Sequence, residues 1–186
     1  MKHLMVDIET MGTAPSSPIL TIGAVFFEPS TGEIGPQFYQ VATLRSEMDN
    51  GAVPDADTIM WWMQQSEEAR KALSSNPSHI NEILLALSSF ALSTSTARNI
   101  QLWGNGANFD NVLLRDAYRR AQLSPFWNFW NDRDVRTIVE LGRQLGYDPK
   151  RDIPFVGDHH NALDDAIHQA KYVSAIWQKL LPTTSD

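Results

Sequence analysis

The stretch Leu4-Met5-Val6-Asp7-Ile8-Glu9-Thr10 alternates along the chain and reads as a β-strand. On a strand, successive side chains point to opposite faces. Met5, Asp7 and Glu9 therefore share one face, and Leu4, Val6 and Ile8 share the other. The strand buries apolar residues and carries two carboxylates two positions apart. Asp-x-Glu alone is more often a strand reaching its solvent end, so the neighbouring elements must decide its meaning.

Working outward, Ile19 to Phe27 is a strongly apolar second strand and Phe38 to Thr43 a third. The turn Pro29-Ser30-Thr31-Gly32 joins them into an antiparallel meander. The chain then becomes helical. Asp57 or Thr58 can cap Ile59-Met60-Trp61-Trp62-Met63, and a second short helix begins at Ser66-Glu67-Glu68-Ala69. His79 to Leu92 carries an apolar stripe at 80, 83, 84, 87 and 91. Ile100 to Trp103 reads as a short buried strand. Asn108 to Leu123, Val135 to Leu145 and Leu163 to Leu180 read as helices. Strands followed by helices interleaved with a further strand predict an α/β fold: a mixed central sheet, its first three strands antiparallel, flanked by helices. Residues 1–181 are read as one domain and 182–186 as a frayed tail.

Composition narrows the function classes. No run is apolar and long enough to span a membrane, and the N-terminal run with its early acid does not read as a signal peptide. With no cysteine there is no disulfide framework and no thiolate metal site, which fits a cytoplasmic protein. The net charge of -7 argues against a nucleic-acid partner. Two bound divalent cations would bring it to -3. The charge is also uneven: residues 115–151 hold eight Lys/Arg and five Asp/Glu, a local +3, leaving -10 elsewhere. A solvated helix pair explains that segment as well as a nucleic-acid face does.

Two more acidic positions bear on Asp7 and Glu9. Asp110 follows the strand Ile100 to Trp103 and a turn containing Gly104 and Gly106, where glycine permits a tight turn and close approach of a substrate. An acid at a helix start is the commoner use of such a residue. In the last helix, capped by Asp158 or Asn161, the apolar stripe is Leu163, Ala166, Ile167, Ala170, Val173, Ile176 and Trp177. Asp165 borders that stripe, while Asp164 lies with His168 and Lys171 on the polar flank. Asp165 is therefore assigned to the site and Asp164 to solvent. His160 and His159 compete for the imidazole position, and only the spacing to Asp165 favours His160.

Asp7-Ile8-Glu9-Thr10, Asn105-Gly106-Ala107-Asn108-Phe109-Asp110 and His160-Asn161-Ala162-Leu163-Asp164-Asp165 resemble the three motifs of the DEDDh branch of 3'→5' exonucleases, a superfamily with the ribonuclease H-like fold. The resemblance runs from residue 4 to about 177. Trp61 to Arg70 is similar to phage-type and mycobacterial single-domain members, including phage exonuclease A and proteins labelled exodeoxyribonuclease VIII. One departure is that Gly106 stands where the proofreading pattern has Asn; Asn105 is one residue earlier.

The resemblance implies a ribonuclease H-like fold and a metal-dependent exonuclease releasing nucleoside 5'-monophosphates from single-stranded 3' ends. DNA is favoured; RNA ends or 3' overhangs are the alternative, and a binding module without catalysis is a third reading. It implies two divalent cations, Mg²⁺ or Mn²⁺, held by Asp7, Glu9, Asp110 and Asp165, with His160 as the base. Thr10, Met11, Trp61, Trp62, Asn105 and Phe109 are the candidate substrate contacts. The aromatic run Pro125 to Trp130 reads as a core plug or a dimer contact, and with the resemblance it makes a homodimer an expectation.

Overall fold

The computed structural model describes residues 1–181, and the expected tail at 182–186 lies outside them. Five strands form one sheet in the order β3-β2-β1-β4-β5. β1 (His3–Thr10), β2 (Ile19–Glu28) and β3 (Glu33–Val41) are antiparallel neighbours; β4 (Gln101–Gly104) and β5 (Asp132–Asp134) continue parallel from β1. The helices are α1 (Leu44–Asp49), α2 (Ala56–Met63), α3 (Glu67–Ala72), α4 (Ile80–Thr94), α5 (Asp110–Arg120), α6 (Val135–Gln144), α7 (Pro149–Asp152) and α8 (Ala162–Leu180). This is the expected mixed sheet flanked by helices.

The alternation along β1 divides the core. Leu4, Val6 and Ile8 pack with Ile22, Ala24 and Phe26 beneath α4 and α5. Met5 packs on the opposite face with Val25, Phe27 and Trp103 beneath α6 and α8. Asp7 and Glu9 therefore emerge on the α8 side, toward the C-terminal end of a strand whose other residues are buried.

Gly23 permits the last helix to come close. It pairs with Asp7 across β1 and β2. A Cβ at Gly23 would lie 2.2 Å from the carbonyl carbon of Ala162 and 2.3 Å from the amide nitrogen of Leu163. Only a missing side chain lets the first turn of α8 rest on the strand.

Several elements differ from expectation. β3 begins at Glu33 and includes Gly35 and Pro36, which fall in a register irregularity opposite Val25 to Phe27. A proline is tolerated there because β3 is an edge strand. β5 is three polar residues at the other edge and has no alternating pattern to read. α1, capped by the Thr43 side chain, and the one-turn α7 were also absent from the sequence reading. Asp55, rather than Asp57 or Thr58, caps α2, accepting from the Thr58 amide at 2.9 Å. The aromatic run is divided: Phe126 and Trp127 are buried in the core, while Phe129 and Trp130 are 67% and 62% exposed. It is thus not one surface cluster. No helix among the described residues is long and apolar enough to cross a membrane.

Candidate active site

The end of β1, the start of α5 and the start of α8 meet around a cavity of about 260 Å³. Its lining includes Asp7, Glu9, Asp110, Asp165 and His160, together with Asn105, Arg136 and Gln169. Asp7, Glu9 and Asp165 each offer a ligand oxygen, and the three atoms lie within 4.8 Å of one another. Residues separated by more than 150 positions are brought together by the fold.

Burial makes these acids hard to ionise. It pushes Asp7 well above the ordinary carboxylate range, and the nearby carboxylates of Asp110, Glu9 and Asp165 push the same way. Burial, then Asp165 and Asp110, raises Glu9 to about 8. Asp110 is raised to about 7 by burial, against the opposing effect of backbone N–H groups of Asp110, Asn105 and Ile8. Burial also raises Asp165, partly offset by His160. Four carboxylates share one cavity whose lining contains one arginine and one histidine. Such a donor set is compensated by protons or by a hard divalent cation with oxygen preference. The donors fit the cation.

His160 is held by its backbone. Its φ is +66°, in the left-handed region that non-glycine residues seldom occupy. Its amide donates to Asp165 Oδ2 at 3.2 Å. Asn161 caps α8, its side-chain oxygen accepting from Leu163 and Asp164. Asp164 does not simply face solvent as expected: it accepts from the Asp158 amide at 2.9 Å and pins the loop before His160. The two adjacent acids thus divide the work, Asp165 lining the cavity and Asp164 bracing the loop. His160 Nδ1 lies 4.0 Å from Glu9 Oε1, and its ring meets Trp61 edge-on at 5.2 Å. His159 stacks instead on Phe155.

A larger cavity of about 590 Å³ adjoins the first through Ile8, Glu9 and Phe109. Thr10, Trp61 and Trp62 also line it. Trp61 is 43% exposed, whereas Trp62 is 4% exposed and donates its ring N–H to the Thr10 carbonyl at 2.9 Å. The Thr10 hydroxyl is engaged with the Gly12 carbonyl at 2.7 Å. Met11 lines neither cavity; it packs behind them against the cluster of Leu20, Trp62 and Ala69. The expected substrate contact at Met11 is not brought to either cavity wall, and its side chain supports the helix that carries Trp62.

Two residues of the cavity escaped the sequence reading. Gln169 donates to Asp7 Oδ1 at 2.7 Å from one turn beyond Asp165. Its signal was a polar side chain within the buried face of α8. Arg136, in the first turn of α6, was visible only as one charge of the basic segment.

The sequence matches the family described as the 3'-5' exoribonuclease Rv2179c-like domain over residues 2–177. The chain belongs to this family. An exodeoxyribonuclease of Enterobacteria phage T4 is 27% identical over 169 residues, covering 75% of this chain and 71% of that one. Among solved structures, the nuclease domain of 3'hExo, a DEDDh family member bound to rAMP, superposes with a TM-score of 0.59 at 18% identity, covering 96% of this chain and 91% of that one. A zinc-bound E. coli ExoI–ssDNA complex gives 0.65 at 16% identity, covering 97% of this chain and 41% of that one. The Rv2179c-like chain is accordingly a 3'-5' exonuclease of the DEDDh superfamily with the ribonuclease H-like fold. DEDDh exonucleases use divalent metal ions, and the acidic cluster at Asp7, Glu9 and Asp165 is the candidate place for them.

Proposed function

We propose that this exonuclease removes nucleoside 5'-monophosphates from single-stranded 3' ends by a two-metal mechanism, with DNA as the favoured substrate. The observation that carries this reading is the meeting of Asp7, Glu9 and Asp165 within 4.8 Å, beside Asp110 and His160 in one cavity. Asp7, Glu9 and Asp165 would hold one ion, and Asp7 with Asp110 the other. When bound, Mg²⁺ or Mn²⁺ would supply charge neutralisation at the scissile phosphate and acidify a coordinated water.

The protein's own residues account for the remaining requirements. His160 stands at the cavity mouth with its imidazole partly exposed and is suited to take a proton from the attacking water. The water oxygen forms a bond to phosphorus as the bond from phosphorus to the upstream 3'-oxygen breaks. That oxygen then takes a proton from solvent, leaving a 3'-hydroxyl and a 5'-monophosphate. Gln169 orients Asp7. The cavity lined by Trp61 and Phe109 can receive the terminal nucleoside, its aromatic faces offering stacking without base selection.

RNA is the second reading, favoured by the family's description as exoribonuclease domains. The deciding experiment follows 3'-labelled and 5'-labelled DNA and RNA, single- and double-stranded, with Mn²⁺, Mg²⁺ or EDTA. The proposal expects metal-dependent shortening of single strands from the 3' end, fastest on DNA. Faster turnover of RNA selects the second reading. Strand binding with no cleavage under any metal would leave a binding module and defeat the proposal.

A further inference from the structure

The carboxylate cavity opens in a second direction, through Asn105 and Arg136, into a cavity of about 260 Å³ lined by Asn105, Arg136, Val139 and Arg143. Residues 136, 139 and 143 fall on one face of α6. Two arginines seven positions apart on a helix are separated by ~10 Å along its axis. This lining contains no acid, whereas the aromatic cavity is lined by Glu9, Asp55 and Asp57. The two extensions thus differ in charge: one suits a nucleoside and the other a phosphate chain.

Arg136 is placed rather than merely exposed. A Cβ on Gly106 would lie 3.3 Å from the Arg136 guanidinium carbon, and Gly106 has φ +116°. The guanidinium therefore lies close over the glycine backbone at the cavity rim. Among the described residues Arg143 makes loose ion pairs, 3.9 Å to Glu140 and 3.5 Å to Asp148, with its side chain 48% exposed. The pair with Glu140 is exposed on both sides and contributes little, while the Asp148 side chain is only 18% exposed. At 3.5 Å and 3.9 Å neither contact prevents the guanidinium from turning to a phosphate.

We propose that this face of α6, with Asn105, is the track for phosphates on the 5' side of the scissile bond. The proposal rests on the exonuclease reading above. With the terminal nucleoside beside Trp61 and the scissile phosphate at the carboxylates, the upstream strand leaves past Arg136 toward Arg143. In a stacked strand rising ~3.4 Å per nucleotide, ~10 Å reaches about three nucleotides. The track makes the enzyme prefer strands to dinucleotides, and it supplies positive charge in a chain whose net charge is -7.

The test measures kcat/KM on a dinucleotide, a tetranucleotide and a 12-mer across a salt series, for wild type, R136Q, R143Q, R143K and the exposed-arginine control R45Q on α1. Anisotropy of the same labelled strands in EDTA reads binding without turnover. The proposal expects R143Q to raise KM for the 12-mer several-fold with kcat retained. The ratio of long-strand to dinucleotide kcat/KM should fall, and the log–log salt slope should weaken by about 0.7 for each arginine removed. R143K should keep more of the preference. If Arg136 only offsets charge near Asp110, kcat of R136Q falls equally on all lengths with the salt slope unchanged. That result, or R143Q matching R45Q in length preference and anisotropy, overturns the track. A wild-type protein that cleaves nothing defeats the exonuclease reading instead, and the anisotropy series still decides the track.

Discussion

Trp61 leaves 43% of its surface at the mouth of the larger cavity, whereas Trp62 is 4% exposed and holds the Thr10 carbonyl. Both were equal candidates in the sequence, because adjacency on a helix says nothing about which way each ring faces the core. The structure assigns them different consequences. Trp61→Ala should fold normally and lose about 1–3 kcal/mol of base stacking, roughly 5- to 150-fold in kcat/KM, mostly through KM. Trp62→Ala should cost about 3–5 kcal/mol of stability, read as a lowered urea midpoint. Equal midpoints for the two variants would contradict this division. At His160, the left-handed backbone favours Asn or Gly as replacement. His160→Asn should keep the fold while kcat drops by about 10²–10⁴ with metal present, the usual contribution of a general base. Near-wild-type turnover would remove His160 from that role.

At the scale of elements, the position of α8 governs the site, and Gly23 governs α8. Adding one methyl at Gly23 would strike the backbone of Ala162 and Leu163, which cannot rotate away. Gly23→Ala should cost about 1–3 kcal/mol. It should also depress activity beyond the loss of folded protein, because Asp165 moves relative to Asp7. A variant with lowered stability but full activity per folded molecule would show that α8 can shift without moving its acid. The importance of Gly23 was invisible in sequence: a glycine in an apolar strand reads as a weak position until the helix above it is known. The antiparallel start was legible, and so was the side of α8 on which Asp165 rather than Asp164 meets the cavity, since each rests on a period of 2 or 3.6 repeated over many residues. β5 and the Asp55 cap were not, because a three-residue edge strand and a cap two positions early leave no periodic trace. Gln169 and Arg136 were missed because their significance lies in which distant residues they meet.

For the whole molecule, the balance between folding and the charge of the site sets a pH dependence. Glu9 is raised from its ordinary 4.5 to about 8 and Asp110 from 3.8 to about 7, both chiefly by burial. A carboxyl whose folded pKa is raised binds more protons folded than unfolded between the two values. The stability it permits is therefore present below its ordinary pKa and lost as pH rises toward the folded one. His3 has the opposite slope at lower pH: burial lowers it to about 4, so it costs stability as pH falls below 6.5. The carboxylates are read cleanly only above that window. Between pH 6.5 and 8, metal-free protein should lose about 1–2 kcal/mol per titrating carboxyl, a fall of about 2–4 °C in melting temperature for each kcal/mol. Mn²⁺ replaces the protons, so its stabilising increment should grow across the same range. Glu9→Gln should flatten the metal-free curve and shrink the increment, because the amide neither titrates nor neutralises a cation. Melting curves in EDTA and in Mn²⁺ at pH 6.5, 7.25 and 8 test this. A metal-free melting temperature that is flat or rising with pH would show that protons do not compensate the buried acids, and a Mn²⁺ increment unchanged by Glu9→Gln would show that the ion does not sit at Glu9.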